Sequence, residues 1–242
     1  RLHEQDFLVT QNVSPFNEDY NYDELGKYND YLFLMAYDEH SESTAPGPIS
    51  SNKWVEASVD KLAEHISPKK IVLNLAAYGY DWNKKNKQVK NITYQQAITK
   101  ARDSESNLDF DNDTYNVNFR YYDDKNAMHE VHFTDGATNF NLLRFATEYN
   151  LAGTAIWRLG SEDPRVWDFY SKPMNKAALK TFDFKDFSSI DPIDDPDYIG
   201  NGEIIEMMAT PGEGHITPEL DTAAMLISEE KFDKLPSAYV IK

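Results

Sequence analysis

Apolar residues fall into short runs along this chain, and three of the runs share one form. Tyr31-Leu32-Phe33-Leu34-Met35-Ala36-Tyr37 is unbroken apolar or aromatic, and charge begins at Asp38. A run this short, bounded by polar residues, predicts a strand buried on both faces, as in parallel sheets covered by helices. In such sheets chemistry sits just past the carboxyl ends of the strands, which here means Tyr37 and Asp38. Lys69 to Trp82 repeats the form and ends in Tyr78-Gly79-Tyr80-Asp81-Trp82; Leu151 to Asp163 repeats it with Ile156-Trp157 near its tip. Aromatic faces around a cleft suit a sugar ring, whose C–H faces are apolar and whose rim carries hydroxyls. A rim that only packs loops would give the same pattern.

The segments between these runs have a helical period. Trp54, Val55, Val59, Leu62, Ala63 and Ile66 fall on one face of a helix over Lys53–Ile66, capped by Ser51 or Asn52 and ended by Ser67-Pro68. It follows the loop Ala45-Pro46-Gly47-Pro48 and completes a strand–helix–strand unit, whose crossover should be right-handed. Phe7–Thr10 reads as a short strand before Pro15, and Tyr22–Tyr28 as a short helix. After Trp82 a Lys-rich loop spans Asn83–Asn91, Thr93 caps a helix to about Arg102, and Tyr115–Asp123 and Met128–Thr134 alternate as strands. Thr138–Tyr149 is helical, with Phe140, Leu143, Phe145 and Ala146 inward, and a short helix is expected over Pro164–Tyr170. From about Met174 the texture changes: Ile190 to Asp197 is acidic and linker-like, and Glu203–Ala209 and Tyr239-Val240-Ile241 read as strands. The prediction is an α/β unit over 1–175 with an α+β insertion over 83–134, then a β-rich extension over 176–242.

Composition narrows the partners. The 242 residues hold 24 Lys and Arg against 41 Asp and Glu, a net charge of −17. A surface this acidic argues against binding nucleic acid or an anionic membrane face. There is no Cys, so neither a disulfide framework nor a thiol nucleophile is available. No apolar run approaches the ~20 residues of a membrane span. The start at Arg1 without Met suggests a piece of a longer protein. Asp109-Phe110-Asp111-Asn112-Asp113 begins like a calcium loop, but Thr114 and Arg120 stand where Gly and Glu are needed. His129 and His132 lack the spacing of a helical zinc pair and would point to opposite faces of a strand. Neither metal nor cofactor is expected. The remaining candidates are Tyr37, Asp38, Tyr78, Tyr80, Asp81 and Trp157. Asp38, following a buried strand, is expected to be partly desolvated; it could stabilise a charged intermediate or simply pair with a Lys or Arg.

At these residues the chain resembles glycoside hydrolase family 18, the chitinase-like (βα)8 barrels. Met35-Ala36-Tyr37-Asp38 is similar to the family's Met-x-Tyr-Asp of strand six. Phe7–Ser14, Lys70–Gly79 and Gly153–Trp157 resemble strands five, seven and eight, and the stretch after Asn83 resembles the family's α+β insertion. The resemblance implies the C-terminal half of a TIM barrel, with two exposed edges to be covered by the missing half, a second copy or the chain's own tail. It implies a β-linked N-acetylglucosamine polysaccharide as ligand. Tyr37 and Asp38 would serve catalysis by substrate assistance, Trp157 would stack under the ring, and Tyr78, Tyr80 and Asp81 would line the site. The family's acid-bearing Asp-x-x-Asp-x-Asp-x-Glu is absent, so the chain alone should be inactive, and a silent binding or scaffolding domain is the alternative. Asn74 stands where the family usually has Gly. Ala45–Ile49, Tyr78–Trp82 and the tail are similar to bacterial multidomain proteins that join such a domain to a polysaccharide deacetylase and a membrane glycosyltransferase. This similarity implies an extracytoplasmic or cell-envelope setting.

Overall fold

Two sheets organise the protein in a computed structural model that describes residues 2–111 and 113–167. The elements are β1 (Thr10–Val13), α1 (Tyr22–Tyr28), β2 (Tyr31–Met35), α2 (Asn52–Ala63), β3 (Ile71–Ala76), β4 (Gly79–Asn83), β5 (Val89–Ile92), α3 (Tyr94–Asp103), β6 (Asp109–Asp111), β7 (Asn116–Tyr122), β8 (Met128–Phe133), α4 (Gly136–Glu148) and β9 (Gly153–Trp157). The predicted extension over 176–242, with its linker and strands, lies outside the described residues, as do residues 168–170 of the helix expected over Pro164–Tyr170.

The first sheet is parallel, in the order β1-β2-β3-β9. Leu32, Leu34, Ile71, Leu73 and Leu75 on its outer face pack with Val55, Val59 and Leu62 of α2 and with Phe140, Leu142, Leu143, Phe145 and Ala146 of α4. The inward residues expected for α4 are thus all in the core. Two sequence expectations shift. β2 is fully buried on one face only, because Tyr31, Phe33 and Met35 alternate onto the inner face and are half-buried there. The first strand starts at Thr10 rather than Phe7; pairing to β2 begins at Thr10↔Tyr31, and Phe7 and Leu8 are exposed.

The second sheet is antiparallel, in the order β5-β4-β8-β7-β6. It begins earlier than predicted. The apolar run after Lys70 ends with β3 at Ala76, and Gly79 opens a new strand. Glycine is required there: a Cβ would lie 2.4 Å from Phe133 Cβ and 2.5 Å from the His132 carbonyl oxygen. The expected Lys-rich loop is a hairpin between β4 and β5, with the Asn83 carboxamide accepting the N–H groups of Lys85 and Asn86 at the turn. Thr93 caps α3 reciprocally with Gln96. α3 then lays Ala97, Ile98 and Ala101 over Val117, Phe119, Val131 and Phe133.

Candidate functional site

The site is built where β2 and β3 end and β4 begins. The chain tightens after β2, with the Ala36 and Tyr37 N–H groups donating to Leu34 and Met35 carbonyls at 2.9 Å each. Asp38 then takes a left-handed backbone, φ 63°. Its Oδ1 accepts the hydroxyls of Tyr78 at 2.5 Å and Tyr80 at 3.0 Å. The carboxylate itself is exposed rather than desolvated as expected, and these partners are phenols, not Lys or Arg.

Burial, reinforced by the Asp38 charge, raises the pKa of Tyr78 and Tyr80 well above the usual phenol value, so both stay protonated donors. Tyr37 is raised as well, by burial first and then by Asp38, with an opposing hydrogen bond from Asn74. The Tyr37, Tyr78, Tyr80 and Trp82 rings stand edge to face or tilted in sequence, with centroids 6.1, 5.6 and 5.5 Å apart. Trp157 ends β9 beside Ala76 and is 56% exposed, with its carbonyl accepting the Ala77 N–H at 2.8 Å.

The sequence profile of glycosyl hydrolases family 18 matches residues 2–163. The chain belongs to that family. It is 30% identical to the cortical fragment-lytic enzyme of Bacillus subtilis, a match covering 68% of this chain and 39% of that protein. It is 28% identical to the uncharacterized glycosylase YvbX of the same species, over 61% of this chain and 43% of the relative. A chitinase from Chromobacterium violaceum superposes with a TM-score of 0.65 at 26% identity, over 69% of this chain and 55% of that one. The fold is therefore of the α/β TIM-barrel type, and the chain spans less than half the length of the curated relatives it matches.

For a family 18 chain, the six candidates divide in an unexpected way. Tyr37, Asp38, Tyr78 and Tyr80 come together, and Trp157 stands at the end of the neighbouring strand. Asp81 does not join them. Strand alternation in β4 puts Tyr80 and Trp82 on one face and Asp81 on the other. There it is 2% exposed and meets His129 Nδ1 at 2.6 Å, the Tyr121 hydroxyl at 2.8 Å and Lys100 Nζ at 3.3 Å. It is the polar centre of the α3-covered face. His132 lies opposite His129, edge-on to Trp82. Among the described residues no cluster of three or more His, Asp or Glu has metal-holding geometry.

Two residues near the site gave no periodic signal. Asn74 adjoins Tyr37. Asn116 of β7 bridges the loop before α2 to the second sheet, accepting the Ile49 N–H at 3.2 Å and donating to the Ser50 carbonyl at 2.9 Å.

Proposed function

We propose that the chain supplies strands five to eight of a family 18 barrel that acts on β-linked N-acetylglucosamine polysaccharide in the cell envelope. The observation that carries this reading is the Asp38 carboxylate, fixed by two protonated tyrosines beside Tyr37 at the strand ends. In substrate-assisted hydrolysis the 2-acetamido oxygen attacks the anomeric carbon as the leaving oxygen takes a proton, and water then opens the cyclic intermediate with retention. Tyr37 would donate to the acetamido oxygen. Asp38 would offset the positive charge that develops on the acetamido group, and Trp157 would stack under the ring. Tyr78 and Tyr80 act through Asp38 as positioning residues.

The general acid would come from a strand outside this chain, and residues 176–242 would form a separate extension. The free edges at β1 and β9 would pair with the remainder of the barrel. A second reading is a silent domain that binds polysaccharide or scaffolds its neighbours. Calorimetric titration with tetra-N-acetylchitotetraose, alongside release of new reducing ends, separates these readings. Binding that Trp157→Ala weakens about tenfold, the low end of aromatic anchor losses, is expected under both. Turnover by a longer form carrying the upstream strands selects the first. No binding refutes the first reading and the binding form of the second, leaving a scaffold alone.

A further inference from the structure

We propose that a cavity at the tip of the insertion is a second binding site, for an oxyanion (a carboxylate or phosphate) carried on the polysaccharide. The tie to a polysaccharide rests on the carbohydrate reading above; the preference for an oxyanion does not. The cavity, about 360 Å3, lies between the β4–β5 and β7–β8 hairpins. The buried Asp81 and the nearly buried His129 side chain line it, with Lys85, Lys90 and Lys125 at its exposed margin. Strand alternation sets it on the opposite face of β4 from Tyr80 and Trp82, apart from the Asp38 site.

The side-chain acceptors around the cavity are largely used. Asp81 takes His129 Nδ1, the Tyr121 hydroxyl and Lys100. Asn83 Oδ1 accepts the Lys85 and Asn86 N–H groups, which turns its amide nitrogen to donate to His129 Nε2 at 2.9 Å. Asn86 Oδ1 accepts the Gln88 N–H, and Gln88 Oε1 accepts the Asn86 amide. Asp123 Oδ1 accepts the Lys125 and Ala127 N–H groups. The side-chain oxygen left over is Asp123 Oδ2, 3.5 Å from His129 Nε2.

The donors are not used. Among the described residues the ammonium groups of Lys85, Lys90 and Lys125 have no hydrogen bond or ion pair, and neither has the Gln88 amide nitrogen. Their neighbours Lys84 and Lys100 are committed to Glu130 and Asp81. Acids outnumber basic residues 41 to 24 in this chain, yet three unpaired cations line one cavity. A pocket whose acceptors are taken and whose donors are charged and free is complemented by a ligand that brings acceptors and negative charge. A neutral sugar ring brings hydroxyls that donate as well as accept, and leaves the three charges uncompensated.

The test is calorimetric titration of the unaltered chain at low ionic strength with tri-galacturonate and, separately, with inorganic phosphate. The uronate is expected to bind, and Lys90→Gln with Lys125→Gln to weaken it about tenfold, two charge-assisted hydrogen bonds discounted for exposure. Raising the ionic strength to about 0.15 M should weaken it further. Lys53→Gln, the same kind of charge change on α2 and not at the cavity, should leave the affinity within about twofold. Asp123→Asn keeps Oδ1 for the turn and removes the adjacent negative charge, so it should tighten binding about threefold, a gain that a purely structural carboxylate would not give. A double lysine variant that binds as the parent does, or Lys53→Gln weakening binding as much, would overturn the inference. Phosphate binding without uronate binding would overturn it too, by making the cavity a site for a free anion. Loss of uronate binding on Trp157→Ala would place the ligand at the Asp38 site instead, with the same consequence. Absence of uronate binding would overturn the inference while the tetra-N-acetylchitotetraose titration still decides the carbohydrate reading on its own.

Discussion

The segment after Trp157 is held by a buried ion pair whose loss should be measurable. Asp163 and Arg165 are 0% and 3% exposed. The Asp163 carboxylate accepts the Gly136 N–H at the start of α4 at 2.8 Å, the Arg165 N–H at 3.0 Å and Arg165 Nε at 2.9 Å. Arg165 Nη2 also donates to the Tyr94 hydroxyl at 3.0 Å, so three segments meet at this pair. Asp163→Ala would break this buried ion pair by removing the carboxylate, which costs about 3–5 kcal/mol. It would also remove an acceptor from a helix start, worth about 1 kcal/mol. A loss near 4 kcal/mol lowers the melting temperature of a chain this size by roughly 8–16 °C. Circular dichroism at 222 nm during thermal unfolding reads it directly. Replacing both residues, Asp163→Leu with Arg165→Met, should recover most of the loss, because a desolvated pair roughly breaks even against apolar side chains of similar size. A single-variant loss below about 1 kcal/mol, or a double variant as weak as the single, would refute this account.

Three further outcomes follow from the second sheet and the tyrosines. Hydrogen bonding from His132 first, then Arg120 and Lys84, holds Glu130 down to about 2 against its burial. Its stabilisation is therefore complete above the unfolded carboxyl value and is lost as pH falls from about 4.5 to about 2. After screening at the exposed Arg120 it is worth about 1–2 kcal/mol, so Glu130→Gln should melt lower at neutral pH and flatten that acid limb. Gly79→Ala should cost about 1–3 kcal/mol by overpacking against Phe133 and the His132 carbonyl. It should also weaken oligosaccharide binding by displacing Tyr78 and Tyr80; an unchanged melting temperature would contradict the contact. Because the Tyr78 and Tyr80 pKa values are raised, their bonds to Asp38 should persist up to the ordinary phenol range, and binding should be flat from neutral pH to about 10. A decline beginning near pH 8 would count against it.

What could be read from the chain follows from how local each signal is. The helices over α2, α3 and α4 were legible because a 3.6-residue period and caps such as Thr93 with Gln96 need only neighbouring residues. The Asp38–Tyr78 contact spans 40 positions, and it was the shared form of the runs, apolar and then aromatic and acidic at the tip, together with the resemblance, that brought the two segments into one site. The break between β3 and β4 was hidden because Ala76-Ala77-Tyr78-Gly79-Tyr80 reads as one continuous apolar run. What divides it is the close approach of β8 to Gly79, a long-range fact. Asp81 was misplaced for the same reason. Once Gly79 opens a new strand, alternation sends Asp81 to the α3-covered face, where His129 and Tyr121 wait 48 and 40 positions away.

The break has a physical consequence for the site. Asp38 sits in a left-handed conformation, which costs an Asp roughly 1 kcal/mol. Two hydroxyls bonded to a charged carboxylate can each return about 1.5–3 kcal/mol when sheltered, and the exposure of Asp38 reduces that figure. The balance still favours the strained backbone, and losing either tyrosine narrows it. Tyr78 lies between the two sheets, and Tyr80 belongs to the second one. The carboxylate at the end of a parallel strand is therefore aimed by an antiparallel sheet that contributes nothing to the helix-side core of the first. Tyr80, Trp82 and Ile49 form their own apolar cluster with Ala76 and Tyr78, and this cluster sets the distance between the sheets. It follows that the insertion is part of the site's construction. Substitutions that loosen it, even on its far face at Phe119 or Phe133, should be felt at Asp38 before the parallel sheet is disturbed.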